Sequence, residues 1–226
     1  MEIIEGIHWM KGVNGNCFLV VGSELTLIDT GLPRNTKKIS DYISRELHRE
    51  PSELKTIILT HYHIDHVGCA RELKDRTGAR VAAHPEDAGF IDGTKPTPGP
   101  KGGVGMLFKL LSPFMRAKKV KIDLLLNEGD MVAGLKVVHV PGHTPGSIAL
   151  LDQARKVLFT GDALTFRDGR VTAPPGRFTM DPELAKRSVA KIKTLDFDTM
   201  LGGHGEPLTP NASARVREFD ETRSQQ

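Results

Sequence analysis

Three imidazoles and a carboxylate crowd into the run His61-Tyr62-His63-Ile64-Asp65-His66. Side chains two apart on extended backbone point the same way, so His61 and His63 can grip one cation. Asp65 and His66 follow where the chain turns into a helix, with Asp65 read as its N-cap, and can reach a second cation. Neutral imidazole and carboxylate are the ligand types that zinc and similar divalent ions take. Closed structural zinc sites are cysteine-rich, and Cys17 and Cys69 lie far apart in no metal-like spacing. His143, Asp162 and His204 add ligand types at three more places, each preceded by a short apolar run. A lone His-x-His recurs by chance. This longer run, joined by three residues of the right type, points to a two-ion site with open positions and so to metal-assisted hydrolysis.

Five apolar runs carry these residues. Leu25–Ile28 ends at Asp29, Thr56–Leu59 at Thr60-His61, Val137–Val140 at Pro141-Gly142-His143, Val157–Phe159 at Thr160-Gly161-Asp162, and Thr199–Leu201 at Gly202-Gly203-His204. Runs of this length and β-branched content, closed by Gly or Pro, read as buried strands. One shared site at a sheet edge explains why each strand ends on a His or Asp. Helices are expected over 35–49, where Ile39, Ile43 and Leu47 recur every fourth residue, over 66–76 stopping near Gly78, and from Asp181-Pro182 to about Lys193. Hairpin-like pairs are expected near 16–29, 122–140 and 147–160. Strand pairs and helices mixed in both halves give an α/β class with two helix-covered sheets. A single domain, 1–226, is expected, interrupted by a stretch at about 91–121. That stretch holds Pro96, Pro98, Pro100, a glycine cluster and apolar residues from Met106 to Met115. It reads as a lid over the substrate, with a dimer contact as the competing use of the same apolar residues.

Bulk properties exclude more than they identify. A net charge of +3 is too small a bias for nucleic-acid binding. Two cysteines suit a reducing compartment. Met1-Glu2-Ile3-Ile4-Glu5 opens without a basic region or long apolar run, so no signal peptide and no membrane span are expected, and the location is read as cytoplasmic.

The motifs resemble those of the metallo-β-lactamase superfamily. His61 to His66 matches its HxHxDH signature, and Pro141 to Ser147 and Thr160-Gly161-Asp162 look like its second and third motifs. Gly202-Gly203-His204-Gly205 is similar to the last, and Leu27-Ile28-Asp29-Thr30-Gly31 to the early strand motif, in the family's order from about 25 to 207. The resemblance implies an αβ/βα four-layer sandwich with the site at the edge of two sheets. Carried over by position, His61, His63 and His143 would bind one ion, Asp65, His66 and His204 the other, and Asp162 would bridge them. Asp29 would orient the ligands from behind.

Departures from subfamilies narrow the activity. True β-lactamases of the superfamily lack the bridging Asp, and flavo-diiron proteins place a carboxylate where His63 stands. The related nucleases carry large inserted domains or exosites, for which this chain has no room. Glyoxalase II adds a glutathione-binding helical domain, but few residues follow His204. Related lactonases use an active-site tyrosine, and Tyr42 and Tyr62 are the tyrosines here. The expectation is therefore a glyoxalase-II-like hydrolase acting on a small thioester, ester or lactone. A hydroxide between two divalent ions, zinc before iron or manganese, would attack, and Asp65 would take the proton. No general acid for the leaving group is evident, which favours thiolates and activated alkoxides. An iron-dependent persulfide dioxygenase, or a promiscuous lactonase or phosphodiesterase, is the alternative. His84, His139 and Cys69 read as structural, His8 and His48 carry no motif, and Arg116, Lys118, Lys119 and Lys121 read as a solvated face that could meet an anionic substrate.

Overall fold

Strand-forming runs and helical patterns alternate along the chain, and in the computed structural model they sort into two compact units, Met1–Leu125 and Leu126–Gln226. The structure describes residues 1–98, 117–174 and 176–220. The first unit is a sheet of seven strands in chain order. β1 (Glu2–Ile4), β2 (Ile7–Met10), β3 (Cys17–Val21) and β4 (Leu25–Ile28) form an antiparallel meander. β5 (Leu54–Ile58), β6 (Arg80–Ala83) and β7 (Leu124–Leu125) then continue parallel to β4. Parallel neighbours need crossovers, and helices supply them. α1 (Thr36–Arg45) joins β4 to β5, while α2 (Ile64–Val67) and α3 (Ala70–Thr77) join β5 to β6. α4 (Pro85–Asp92) follows β6. The core packs Leu25, Leu27 and Ile57 of the strands against Ile39, Ile43 and Leu73 of the helices.

The second unit holds a sheet ordered β14-β11-β10-β9-β8. Its strands are β8 (Met131–Val132), β9 (Leu135–His139), β10 (Ile148–Asp152), β11 (Val157–Gly161) and β14 (Thr199–Gly202), and a ribbon of β12 (Thr165–Arg167) and β13 (Arg170–Thr172) stands apart. β9 and β11 both run antiparallel to β10, and β14 runs parallel to β11. The C-terminal ends of β9, β11 and β14 therefore lie at one sheet edge. α5 (Pro182–Ile192) and α6 (Ala212–Glu218) pack Val189, Ile192, Ala212 and Val216 onto Leu158 and Met200. Asp181 caps α5 by accepting the Leu184 N–H at 2.9 Å, and Pro182 fills the first helical position, as the sequence signals.

Three expectations need correction. α1 ends at Arg45, short of 49, because His48 adopts a left-handed φ of 52° that breaks the helix, although Leu47 still packs on the core. The helix expected over 66–76 is two helices, and Asp65 lies inside the first turn of α2 while His63 occupies the cap position. Residues 122–140 are not one hairpin: β7 joins the first sheet, and the hairpin is β8–β9. Of the stretch at 91–121, residues 91–92 finish α4, and Lys119 donates to the Phe90 carbonyl at 3.0 Å. Met106 to Met115, on which the lid reading rests, lie outside the described residues. No helix among the described residues is long and apolar enough to cross a membrane.

Candidate metal centre

In the first unit the parallel strands β4, β5 and β6 release their chains at one edge, where Asp29 and His84 directly follow β4 and β6, and His61 comes after Leu59 and Thr60 past the end of β5. The Asp29 carboxylate, 1% exposed, is the hub. One oxygen accepts the Thr60 N–H at 2.8 Å, and the other accepts the Thr60 hydroxyl at 2.7 Å and faces His66 Nδ1 at 2.8 Å. The Thr60 hydroxyl, its proton committed to Asp29, then accepts from His61 Nδ1 at 3.1 Å. Protons on both Nδ1 atoms leave both Nε2 atoms as lone-pair donors, the tautomer a metal ligand needs; this assignment follows from the hydrogen bonds.

His61 Nε2 lies 3.1 Å from His63 Nδ1. Two ligand atoms each ~2.0–2.1 Å from one ion, at angles between right and tetrahedral, lie ~2.9–3.4 Å apart. The spacing is that of an N–H···N bond and equally that of two nitrogens on one cation. The His61 and His66 rings stand 4.0 Å apart, centroid to centroid. Asp65 Oδ2 is 3.9 Å from His66 Nε2, a wider opening on the same cluster. This unit thus brings His61, His63, Asp65, His66 and Asp29 together.

In the second unit one carboxylate stands between two imidazoles. Asp162 Oδ2 is 3.5 Å from His143 Nε2 and 3.5 Å from His204 Nε2, both near the span of two ligands on one ion. Asp162 and His143 are largely buried, while the His204 side chain is 34% exposed and keeps an approach for solvent or ligand. The glycines of these motifs permit close approach. A side chain on Gly142 (φ 131°) would meet Ala185 N at 2.3 Å, where α5 docks on the turn. One on Gly205 (φ 77°) would meet Phe166 O at 2.1 Å, where the His204 loop lies against β12. Ser188 of α5 donates to the Pro141 carbonyl at 2.6 Å, and Thr144 N–H donates to Ser147 Oγ at 3.0 Å, which hold the turn bearing His143. The donor chemistry of both clusters, neutral imidazole with carboxylate, fits divalent cations.

Sequence reasoning missed Thr60, Thr30 and Asp87. Thr30 donates to the His66 carbonyl at 2.9 Å and accepts the Cys69 N–H at 3.1 Å. Asp87, fully buried in the first turn of α4, accepts the N–H of Tyr62 at 2.9 Å and so fixes the backbone between His61 and His63. His84 Nδ1 accepts the Glu86 N–H at 3.3 Å, at the start of α4. Cys69 is a buried thiol donating to the Leu32 carbonyl at 3.2 Å.

Tyr62 is 5% exposed and packs on Phe90. Burial, helped by the nearby Asp87 carboxylate, pushes its phenol up to about 12. Unfolding returns it to about 10, so the unfolded chain loses its proton first as pH rises. Stability is fully present below pH 10 and is expected to fall between pH 10 and 12, by about 2–3 kcal/mol in all. Tyr62→Phe should reduce this alkaline loss and remove one high-pH step from the ultraviolet tyrosinate titration. A native titration of Tyr62 near its ordinary value would show the phenol to be solvated.

The sequence model described as the metallo-beta-lactamase superfamily matches residues 10–204. The chain belongs to that superfamily. Its fold is the metallo-β-lactamase fold, and it is a metal-dependent hydrolase by class. A Bacillus subtilis (strain 168) protein named probable metallo-hydrolase YflN is 30% identical, over 92% of this chain and 87% of that one. The hydroxyacylglutathione hydrolase GloC of Haemophilus influenzae is 31% identical, over 76% of this chain and 78% of its own. The solved structure of TTHA1623 in a di-iron-bound form is 26% identical with a TM-score of 0.67, covering 93% of this chain and 97% of that one.

Proposed function

We propose that the chain hydrolyses a small thioester, ester or lactone at a centre of two divalent ions held by His61, His63, Asp65, His66, His143, Asp162 and His204, the two units acting as one domain. The observation that carries the reading is Asp162, one oxygen of which lies 3.5 Å from each of two imidazoles, the position of a shared ligand. GloC, a relative named for hydrolysis of an acylglutathione, which is a thioester, supports the substrate class. The di-iron form of TTHA1623 supports the ion count, and zinc is the ion we assign first.

When bound, such ions supply Lewis acidity and lower the pKa of water. The protein's own residues do the rest. His61 and His66 present Nε2 because Asp29 and Thr60 hold their Nδ1 protons. Asp65, 30% exposed at its side chain, is the proton acceptor as water adds to the acyl carbon. The bond to the leaving sulfur or oxygen then breaks, giving a carboxylic acid and a thiol or alcohol. The reading includes a small-molecule substrate, no nucleic acid and a cytoplasmic setting, the last supported by two buried free thiols.

Stripped protein titrated with zinc should gain thioesterase activity up to about two equivalents. Saturation at one equivalent removes the two-ion reading. One iron per chain with oxygen uptake on a persulfide, and no thioester turnover, replaces the hydrolase by a dioxygenase.

A further inference from the structure

The loop that joins β2 to β3 takes left-handed backbone at Gly12 (φ 77°), Asn14 (φ 51°) and Gly15 (φ 90°). A tight turn of two residues is enough to join antiparallel strands. This loop is longer, and it is tied down. The Val13 carbonyl accepts from Asn35 Nδ2 at 2.7 Å and from the Leu32 N–H at 3.1 Å. The Gly12 carbonyl accepts from Lys38 Nζ at 2.9 Å, and Trp9 Nε1 donates to Asn16 Oδ1 at 2.9 Å. Val13 itself is buried in the core. The loop is thus fixed to α1 and to the chain that leaves β4 beyond Asp29.

At Gly15 the loop meets α2. A Cβ on Gly15 would stand 2.2 Å from the Asp65 carbonyl oxygen, 3.1 Å from its carbonyl carbon and 3.5 Å from the Asp65 Cβ. The nearest of these atoms are backbone, which cannot swing aside as the end of a long side chain can. Asp65 lies in the first turn of α2, and that helix is tied in its own right. The His66 carbonyl accepts the Thr30 N–H at 2.7 Å, and Gly68 N–H donates to the Gly31 carbonyl at 3.0 Å. Loop and helix are each anchored where they touch, so neither gives way freely. The left-handed φ alone does not explain the glycine's place. Gly78 has a similar φ of 74°, yet a Cβ there would meet nothing within 4 Å.

We propose that Gly15 is a positioning residue for Asp65, a residue without a Cβ being what lets the first turn of α2 seat where the Asp65 carboxylate lies 3.9 Å from His66 Nε2. This rests on the reading of Asp65 as a metal ligand and proton acceptor. Gly15 holds neither metal nor substrate and acts through Asp65. Relief of the contact requires a shift of about 1 Å. A misplacement of that size is enough to cost about 10²-fold in rate.

Zinc affinity, read by competition with a chelator, and kcat and KM on a panel of thioesters test it. Gly15→Ala is expected to weaken the more loosely held zinc about tenfold and to lower kcat about 10–100-fold, with KM within about twofold. Gly78→Ala, under similar backbone strain, should lower Tm but leave zinc affinity, kcat and KM within about twofold of the parent. In an Asp65→Ala background Gly15→Ala should add no more than about a twofold loss of zinc affinity, because the carboxylate it acts through is gone. Gly15→Asn carries the same Cβ in a residue type that tolerates a left-handed φ, and takes the place of Gly15→Ala if that variant does not fold. Unchanged zinc affinity and kcat in a folded variant overturn the proposal. So does an equally large loss in the Asp65→Ala background. Failure of both variants to fold assigns the contact to the fold and overturns it too. Zinc affinity that depends on Gly15, with no thioester turned over, keeps the positioning role and sinks the hydrolase reading alone.

Discussion

Asp162→Ala is expected to lower kcat/KM on the proposed thioester substrate by about 10³-fold, close to 4 kcal/mol of transition-state stabilisation. Asp162 Oδ2 lies 3.5 Å from both His143 Nε2 and His204 Nε2, so its removal takes away the one carboxylate between two imidazoles. In the proposed two-ion centre its loss would leave the two cations less screened from each other, and one should be lost or held weakly. The fold itself should not suffer. Metal added to the variant should then stabilise it less than it stabilises the parent, because ligand binding sets that increment. Activity, metal content and Tm with and without zinc decide the matter together. A variant that keeps two metals and near-normal turnover shows that Asp162 is not the shared ligand.

The elements that end on chemistry were legible because they are strong local signals. β4, β9, β11 and β14 begin and end within two residues of the apolar runs that mark them, and after β9, β11 and β14 a Gly or Pro stands next to the candidate site residue. Asp181-Pro182 likewise announces α5 by a cap and a proline that both act locally. The misses have another origin. β7 is two residues long, and no periodicity can assign Leu124–Leu125 to the first sheet or separate it from the β8–β9 hairpin. Asp65 reads as a cap because Asp is a favoured N-cap residue ahead of a helical run. The helix begins two residues earlier than that cap implies, at Ile64, with His63 at the cap position.

The supports behind the ligands were mostly hidden because they act across the chain. Asp29 was reached through its motif, but Thr60 was only the end of a strand until its hydroxyl proved to join Asp29 to His61. Asp87 sits twenty-five positions from Tyr62, whose amide it accepts, and nothing in Pro85-Glu86-Asp87 tells a buried acceptor from an ordinary first-turn acid. The glycines of Gly202-Gly203-His204-Gly205 were visible as a motif. Their reason, the backbone of Leu164 to Phe166 lying where side chains would be, needed the packing.

Asp29 gives the sharpest contrast between two substitutions, since it combines a fold role and a site role in one carboxylate. Asp29→Ala removes the acceptor for the Thr60 N–H, the Thr60 hydroxyl and His66 Nδ1, all in a region with almost no solvent. At about 1–3 kcal/mol for each buried donor left unsatisfied, the expected loss is several kcal/mol, enough to lower Tm markedly and to endanger folding. Ala is also strained at a φ of 57°, which Asp and Asn tolerate better. Asp29→Asn is the informative variant. Its backbone preference and its volume are nearly preserved, but one acceptor oxygen becomes an NH2 donor. If that NH2 faces His66, the ring must move its proton to Nε2, which blocks the nitrogen placed for the ion; if it faces Thr60, it opposes the amide N–H there. The expected result is a folded protein with a modestly lower Tm and a metal affinity reduced about 10–100-fold. The loss should be concentrated on the ion assigned to His66 and should be visible in a competition titration against a chelator. Zinc affinity within twofold of the parent, in a variant shown to be folded, would mean that the Asp29–His66 contact holds the fold and does not set the ligand's tautomer.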